Sequence, residues 1–188
     1  NDTKTNKNQI QQIISVASNA ISNCSNLDAP NSVFNLTKDV NSTATCFNIL
    51  ANNVTLDCRG FMINYSQTDA GYGIYINSQN NTMIRSCNIT QGGSIDDTYG
   101  IYVYNNANFN TIYNNTITTG GSSGYGAVLQ SSSNNSVYSN TITTSGSSGY
   151  GAILFSSSNN SVYSNTITTS GSEGYGAILQ SSSNNSVY

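Results

Sequence analysis

Near-identical segments begin at Gly124, Gly149 and Gly174 with a period of 25 residues, and they predict an all-β chain wound as a right-handed parallel β-helix (β-solenoid). The copies read GYGAVLQSSSNNSVYSNTITTSGSS, GYGAILFSSSNNSVYSNTITTSGSE and GYGAILQSSSNNSVY. A second observation agrees. Short apolar alternations (AVL, SVY, TIT) are separated by Gly, Ser and Asn, as strands are by turns. A third is that the same pattern persists upstream in degenerate form. CFNI (46–49), GIYI (73–76), GIYV (100–103), GAVL (126–129), GAIL (151–154) and GAIL (176–179) align at spacings of 27, 27, 26, 25 and 25.

Composition narrows the classes of function. Of 188 residues, 36% are hydrophobic and 7% charged, with no His or Trp and one proline, Pro30. Low charge alone would suit a disordered chain, but β-branched alternation and the lack of proline argue for order. A net charge of −3 and five Lys plus Arg leave no basic patch for nucleic acid. No apolar run approaches the ~20 residues of a membrane span. The chain starts at Asn1 without Met, which fits a boundary of the sequence or a secreted protein whose signal has been removed.

The chain is read in order from its first residues. Positions 1–9 are polar. Ile10, Ile13, Ile14, Ala17 and Ile21 have helical spacing, so a short helix over Ile10–Ile21 is expected to cap the first coil. An interfacial membrane helix is the alternative, disfavoured by a polar face of Gln, Asn and Ser. Residues 22–45 are irregular, with a strand expected at Ser32–Leu36. Residues 1–45 therefore form a tail, a capping helix and a lead-in segment, and 46–188 form about five to six coils. Two further columns, Leu56/Ile84/Ile112/Val137/Val162/Val187 and Ile89/Ile117/Ile142/Ile167, give each coil three short strands. Such a coil is too long for a left-handed hexapeptide helix, and crossover rules favour the right hand.

The pattern G-[IA]-x-[LIV]-x-x-S-S-x-N-N-x-[IV]-x-x-N-x-I resembles the parallel β-helix repeat of pectin-lyase-like proteins. It is close to the Asn-rich type found in periplasmic copper-processing and carbohydrate-binding sugar-hydrolase domains. TCFNILANNVTLDCRGFMI (45–63) is similar to the opening coil of secreted archaeal surface proteins. The resemblance covers about residues 40–188. It implies the fold; the family's functions range over lyases, hydrolases, adhesins and structural proteins.

Period-2 alternation sends Ile74/Ile76, Ile101/Val103, Ala127/Leu129, Ala152/Leu154 and Ala177/Leu179 inward. Asn115, Asn140 and Asn165 precede an inward Ile at a turn and are expected to form an amide ladder. Outward, Tyr75, Tyr102, Val128, Ile153 and Ile178 form one stripe, and Tyr113, Tyr138, Tyr163 and Tyr188 another. Tyr72, Tyr99, Tyr125, Tyr150 and Tyr175 form a third. These stripes suit self-stacking, a protein interface or sugar binding. The outward Val and Ile favour a covered contact.

The sequence offers no catalytic, cofactor or metal constellation. Asp57 and Arg85 share an outward column and read as an ion pair, with no second carboxylate beside them for glycoside hydrolysis. Asp96–Asp97 is a weak calcium motif. Without His there is no Ser–His–Asp triad, and without C-x-x-C or His no zinc site. The four Cys fit disulfides of an oxidising compartment. Cys58 and Cys87 fall near one corner on successive coils, which leaves Cys24 with Cys46. N-x-S/T sequons begin at Asn1, Asn23, Asn35, Asn41, Asn53, Asn64, Asn80, Asn88, Asn114, Asn134, Asn159 and Asn184. The last three recur at one point of the coil, and glycans are expected on several sites from Asn35 onward. The stacked T-x-T pairs at 116/118, 141/143 and 166/168 resemble ice-binding arrays.

The chain stops within a coil, at Tyr188, and an open solenoid end exposes unpaired backbone. The expectation is thus a secreted, glycosylated structural solenoid that associates end to end as a homopolymer, forming adhesive extracellular filaments or surface appendages. A carbohydrate-binding or polysaccharide-cleaving protein is the alternative.

Overall fold

The computed structural model describes residues 17–188, which wind through about seven turns of a parallel β-solenoid. Each coil contributes one strand to each of three sheets. Sheet 1 contains Ser25–Leu27, Phe47–Ile49, Tyr72–Asn77, Tyr99–Tyr104, Tyr125–Gln130, Ala152–Phe155 and Ala177–Gln180. Sheet 2 contains Ala17–Ile21, Ser32–Leu36, Val54–Asp57, Met83–Arg85, Thr111–Tyr113, Ser136–Tyr138, Ser161–Tyr163 and Ser186–Val187. Sheet 3 contains Val40–Asn41, Met62–Tyr65, Asn88–Gln91, Thr116–Thr119, Thr141–Thr144 and Thr166–Thr169. Every pairing is parallel and joins a strand to its counterpart one coil away.

The register follows the repeat. Ile74, Ile101, Ala127, Ala152 and Ala177 are consecutive partners in sheet 1. Leu56, Ile84, Ile112, Val137, Val162 and Val187 are partners in sheet 2. Ile89, Ile117, Ile142 and Ile167 are partners in sheet 3. These three columns meet along the axis as a single apolar core. Burying one such Ile or Leu contributes roughly 1.5–3 kcal/mol.

The expected capping helix is corrected. Ala17–Ile21 is a strand, paired from Ala17↔Ser32 to Ile21↔Leu36. Residues 10–16 of that helix lie outside the described residues. The spacing of Ala17 and Ile21 satisfies a helix, but Ala17, Asn19 and Ile21 also alternate as a strand does, and pairing across coils decides between them. The irregular stretch 22–45 holds one strand of each sheet. Its Leu27, Leu36 and Val40 are buried in the same core as the residues that follow Cys46.

The turns are held by side chains. The Nδ2 of Asn140 donates to Asn165 Oδ1, Ile112 O and Tyr138 O, each at 3.0 Å. Its Oδ1 accepts from the backbone N and Nδ2 of Asn115, both at 3.0 Å. This is the expected amide ladder. A second one runs beside it: the backbone N–H groups of Asn110, Asn135 and Asn160 each donate to the Oδ1 of Asn135, Asn160 and Asn185 at 2.8 Å. A serine ladder does similar work, with Ser132 N–H donating to Ser157 Oγ at 3.1 Å and Ser157 N–H to Ser182 Oγ at 3.0 Å. Each buried backbone group at these corners thereby finds a partner.

One disulfide meets the Asn115 column earlier in the chain. Cys58–Cys87 joins two coils at a Cα separation of 4.7 Å, and Cys87 N–H donates to Asn115 Oδ1, so the bridge continues directly into the Asn ladder. Cys24–Cys46 bridges the coils before it. The pairing Phe47↔Ile74 puts Cys46 in the column of Gly73. Later members of that column have no room for a side chain: a Cβ on Gly126 would collide with Ile142 Cγ2 and lie 2.5 Å from Gly151 O.

Two predictions follow from these contacts. Asn140→Ala removes all five of these side-chain bonds and orphans buried backbone groups, so urea unfolding should show a loss of about 2–4 kcal/mol; a loss below about 1 kcal/mol would contradict the ladder's role. The double variant Cys58→Ser/Cys87→Ser opens a loop of sequence separation 29. It should be destabilised by about 3 kcal/mol, read from the thermal midpoint of oxidised protein.

Candidate functional site

The outer face of sheet 1 carries the most chemically distinctive surface. In successive coils the second residue of the sheet 1 strand is a buried glycine, Gly73, Gly100 or Gly126. The residue before the glycine and the one two places after it lie on the same outer side. Tyr72 and Tyr75 are such a pair, with ring centroids 5.1 Å apart, and Tyr99 and Tyr102 are another at 5.1 Å. Between coils, Tyr99–Tyr125 and Tyr125–Tyr150 stack at 5.1 and 5.0 Å with nearly parallel planes.

A groove of about 350 Å³ runs along this face. Tyr99, Tyr125 and Tyr150 form one wall; Gln130, Phe155 and Gln180 form the other; Val128, Ile153 and Ile178 form the floor. Tyr102 O–H donates to Gln130 Oε1 at 2.7 Å and marks the end towards the earlier coils. No charged residue lines the groove.

The expected outward stripe Tyr75/Tyr102/Val128/Ile153/Ile178 is thus partly covered by the chain itself. Tyr102 is only 8% exposed and Val128 4%. Alternation along a strand put these side chains outside correctly, but it could not register the Tyr72-to-Tyr150 column folding over them. The Tyr113/Tyr138/Tyr163/Tyr188 stripe on sheet 2 is a parallel stack, with centroids 5.2, 5.0 and 5.5 Å apart. In such ladders the ring faces lie against each other, and only ring edges and hydroxyls remain for a partner.

Burial keeps these phenols protonated. Tyr99 is pushed up to about 12, first by burial and then by Tyr72, Tyr125 and Asp97. Burial, with the neighbouring phenols adding to it, also raises Tyr102 and Tyr75. Tyr65, inside the coil, is raised by burial, which Thr98 beside its hydroxyl offsets only in part.

The carboxylates hold structure. Asp57 Oδ2 lies 2.9 Å from Arg85 Nη2, and its Oδ1 accepts from Arg59 N–H. Asp39 accepts from Met62 N–H at 2.8 Å and Asp96 from Ser122 N–H at 2.7 Å. Asp69 accepts from Thr68 Oγ1, and Glu173 from Ser148 Oγ. Among the described residues, no three of His, Cys, Asp or Glu gather as metal ligands would.

The sequons divide by exposure. Asn134, Asn159 and Asn184 are exposed at turns with φ of 59°, 57° and 53°, and Asn114 is exposed with φ of 56°. Asn41 and Asn53 are exposed; Asn64, Asn80 and Asn88 are half-buried. Asn35 is 7% exposed and its Nδ2 donates to Ser18 Oγ at 2.8 Å, so the folded chain has no space for a glycan there. The threonine pairs 116/118, 141/143 and 166/168 lie in register on sheet 3.

A family model described as right handed beta helix region matches residues 72–188. No curated protein and no solved structure matches the chain, so the similarity to archaeal surface proteins has no counterpart among the comparisons.

The raised phenols set an alkaline limit. Unfolded tyrosines release their protons near 10.0, whereas Tyr99 holds its proton to about 12. The unfolded chain therefore binds fewer protons in that interval, and the stability present below pH 10.0 falls as pH rises towards about 12. Phenolate absorbance should lag behind that of free tyrosine and then rise together with loss of the β-sheet circular dichroism signal; titration of all phenols near 10.0 in folded protein would contradict this.

Proposed function

We infer, because this chain belongs to the right-handed β-helix family, that it is a secreted, N-glycosylated structural solenoid of the cell surface. The observation that carries this reading is the set of in-register ladders at Asn115/Asn140/Asn165 and Asn110/Asn135/Asn160/Asn185, which makes successive coils interchangeable building units. Asp39, Asp57, Asp69, Asp96 and Glu173 are each spent on a backbone N–H, a hydroxyl or Arg85. Two disulfides suit an oxidising compartment, and among the described residues no helix is long and apolar enough to cross a membrane.

Coils that accept another coil by backbone pairing can accept a second copy in the same way, so the rods associate end to end into adhesive filaments. Negative-stain microscopy of native material should show fibres one solenoid wide. Monodisperse monomers at every concentration by light scattering would sink this reading.

The groove on sheet 1 favours a second reading, the binding of a neutral glycan. Its walls offer phenol and amide groups, its floor is apolar, and its lining lacks charge. A sugar chain lying along the axis would meet a similar set of groups at every ~4.8 Å coil step. Calorimetric titration with neutral oligosaccharides should give binding that Ile153→Asp weakens about tenfold, or about 1.4 kcal/mol, and that Asp57→Ala leaves intact. Equal weakening by both variants would place the ligand elsewhere.

A further inference from the structure

Tyr102 occupies a position unlike that of any other described tyrosine. Its ring centroid lies 5.1 Å from Tyr72, 5.4 Å from Tyr75, 5.1 Å from Tyr99 and 5.3 Å from Tyr104. The planes meet at 58°, 23°, 82° and 27°, so Tyr72 and Tyr99 meet Tyr102 tilted or edge-on while Tyr75 and Tyr104 stack on it. Along sheet 2 the arrangement differs: Tyr138 touches only Tyr113 and Tyr163, with planes within 8° and 11° of parallel. Gln130 fixes Tyr102 by accepting its hydroxyl hydrogen at 2.7 Å.

We propose that the five tyrosines Tyr72, Tyr75, Tyr99, Tyr102 and Tyr104 form an oxidative cross-linking site, at which Tyr102 becomes joined to a surrounding ring as dityrosine. The co-reactants are hydrogen peroxide and a haem peroxidase acting as a one-electron oxidant. Each of two phenols loses one electron and its hydroxyl proton. The unpaired electrons reside partly on the ring carbons next to the hydroxyl-bearing carbon, and two such carbons form a bond. The hydrogen on each bonded carbon then moves to its oxygen, which restores both phenols. The two electrons and two protons reduce one hydrogen peroxide to two waters.

Three features concentrate this reaction at Tyr102. Coupling needs two oxidised rings in contact, and here the second ring is already beside the first. Tyr72, Tyr75, Tyr99 and Tyr104 are half-buried, so an oxidant meets their edges, while Tyr102 at the centre touches all of them. The two disulfides suit the oxidising compartment on which the proposed function rests, where peroxide chemistry is available. Tyr75 and Tyr102 are partners on adjacent coils, so a bond between their columns would staple the coils immediately after those joined by Cys58–Cys87.

The test treats dilute, oxidised full-length protein with hydrogen peroxide and a haem peroxidase, then reads dityrosine fluorescence and maps cross-linked peptides by mass spectrometry. The expected product is a monomer on a denaturing gel whose principal cross-linked peptide contains Tyr102 and has lost one hydrogen from each joined ring. Tyr102→Phe keeps the ring and its packing, and should lower the yield about tenfold through loss of the pre-positioned partner. Tyr138→Phe removes a stacked tyrosine from the other face and should leave the yield unchanged. Equal yields from the two variants, cross-links found chiefly along Tyr113–Tyr138–Tyr163, or products formed only between molecules would each overturn the proposal.

Discussion

The spacing of about 4.8 Å between hydrogen-bonded parallel strands is the constraint on which this molecule depends. Backbone pairing from coil to coil fixes it, and every side chain then sits one strand spacing from its own counterpart. Residues that tolerate themselves as neighbours fill the columns: Ile and Val inside, Asn at corners, Tyr, Thr and Ser outside. Charged residues do not tolerate it, since like charges directly opposite repel. The 7% charged content follows from that geometry. Where charges do enter a column, they alternate in sign, as Asp57 and Arg85 do.

The corner columns solve one problem in different ways along the chain. A buried turn must satisfy its backbone groups and keep consecutive coils aligned. Asn does both with one amide, accepting from one coil and donating to another. Cys58 and Cys87 occupy the start of such a column and supply a covalent link in place of the amide. The bridge ties coils together but satisfies no carbonyl, whereas the amide does so at every step. At their corners the repetitive later coils therefore use hydrogen bonds in place of a covalent link.

Much of the coil was legible because inward positions repeat with the same residue type. The columns through Ile112, Ile142 and Leu129, the strand at Ser32–Leu36 and the ladder at Asn140 all declare themselves by period. Three features did not. Ala17–Ile21 satisfies two periodicities at once, and only its partner Ser32–Leu36 selects between them. The ladder at Asn135 hides in the pair Asn134–Asn135, where one Asn adopts φ of 59° and points out while its neighbour turns in; the recurring NN dipeptide was the available signal. The cover over Tyr102 arises from rings crossing between positions three residues apart, which strand alternation does not describe.

Interchangeable coils also make the alignment of the chain degenerate. Moving the segment that begins at Gly149 onto the place of the segment that begins at Gly124 would pair Ser with Ser, Asn with Asn and Tyr with Tyr. A slip of one residue sends every core side chain outward, yet a slip of one whole coil leaves nearly all contacts chemically the same. Length is thus a quantised property of this protein: coils can be gained or lost as units without redesign. During folding, the early coils, with their bridges and the Asp57–Arg85 pair, carry marks that tell one turn from the next.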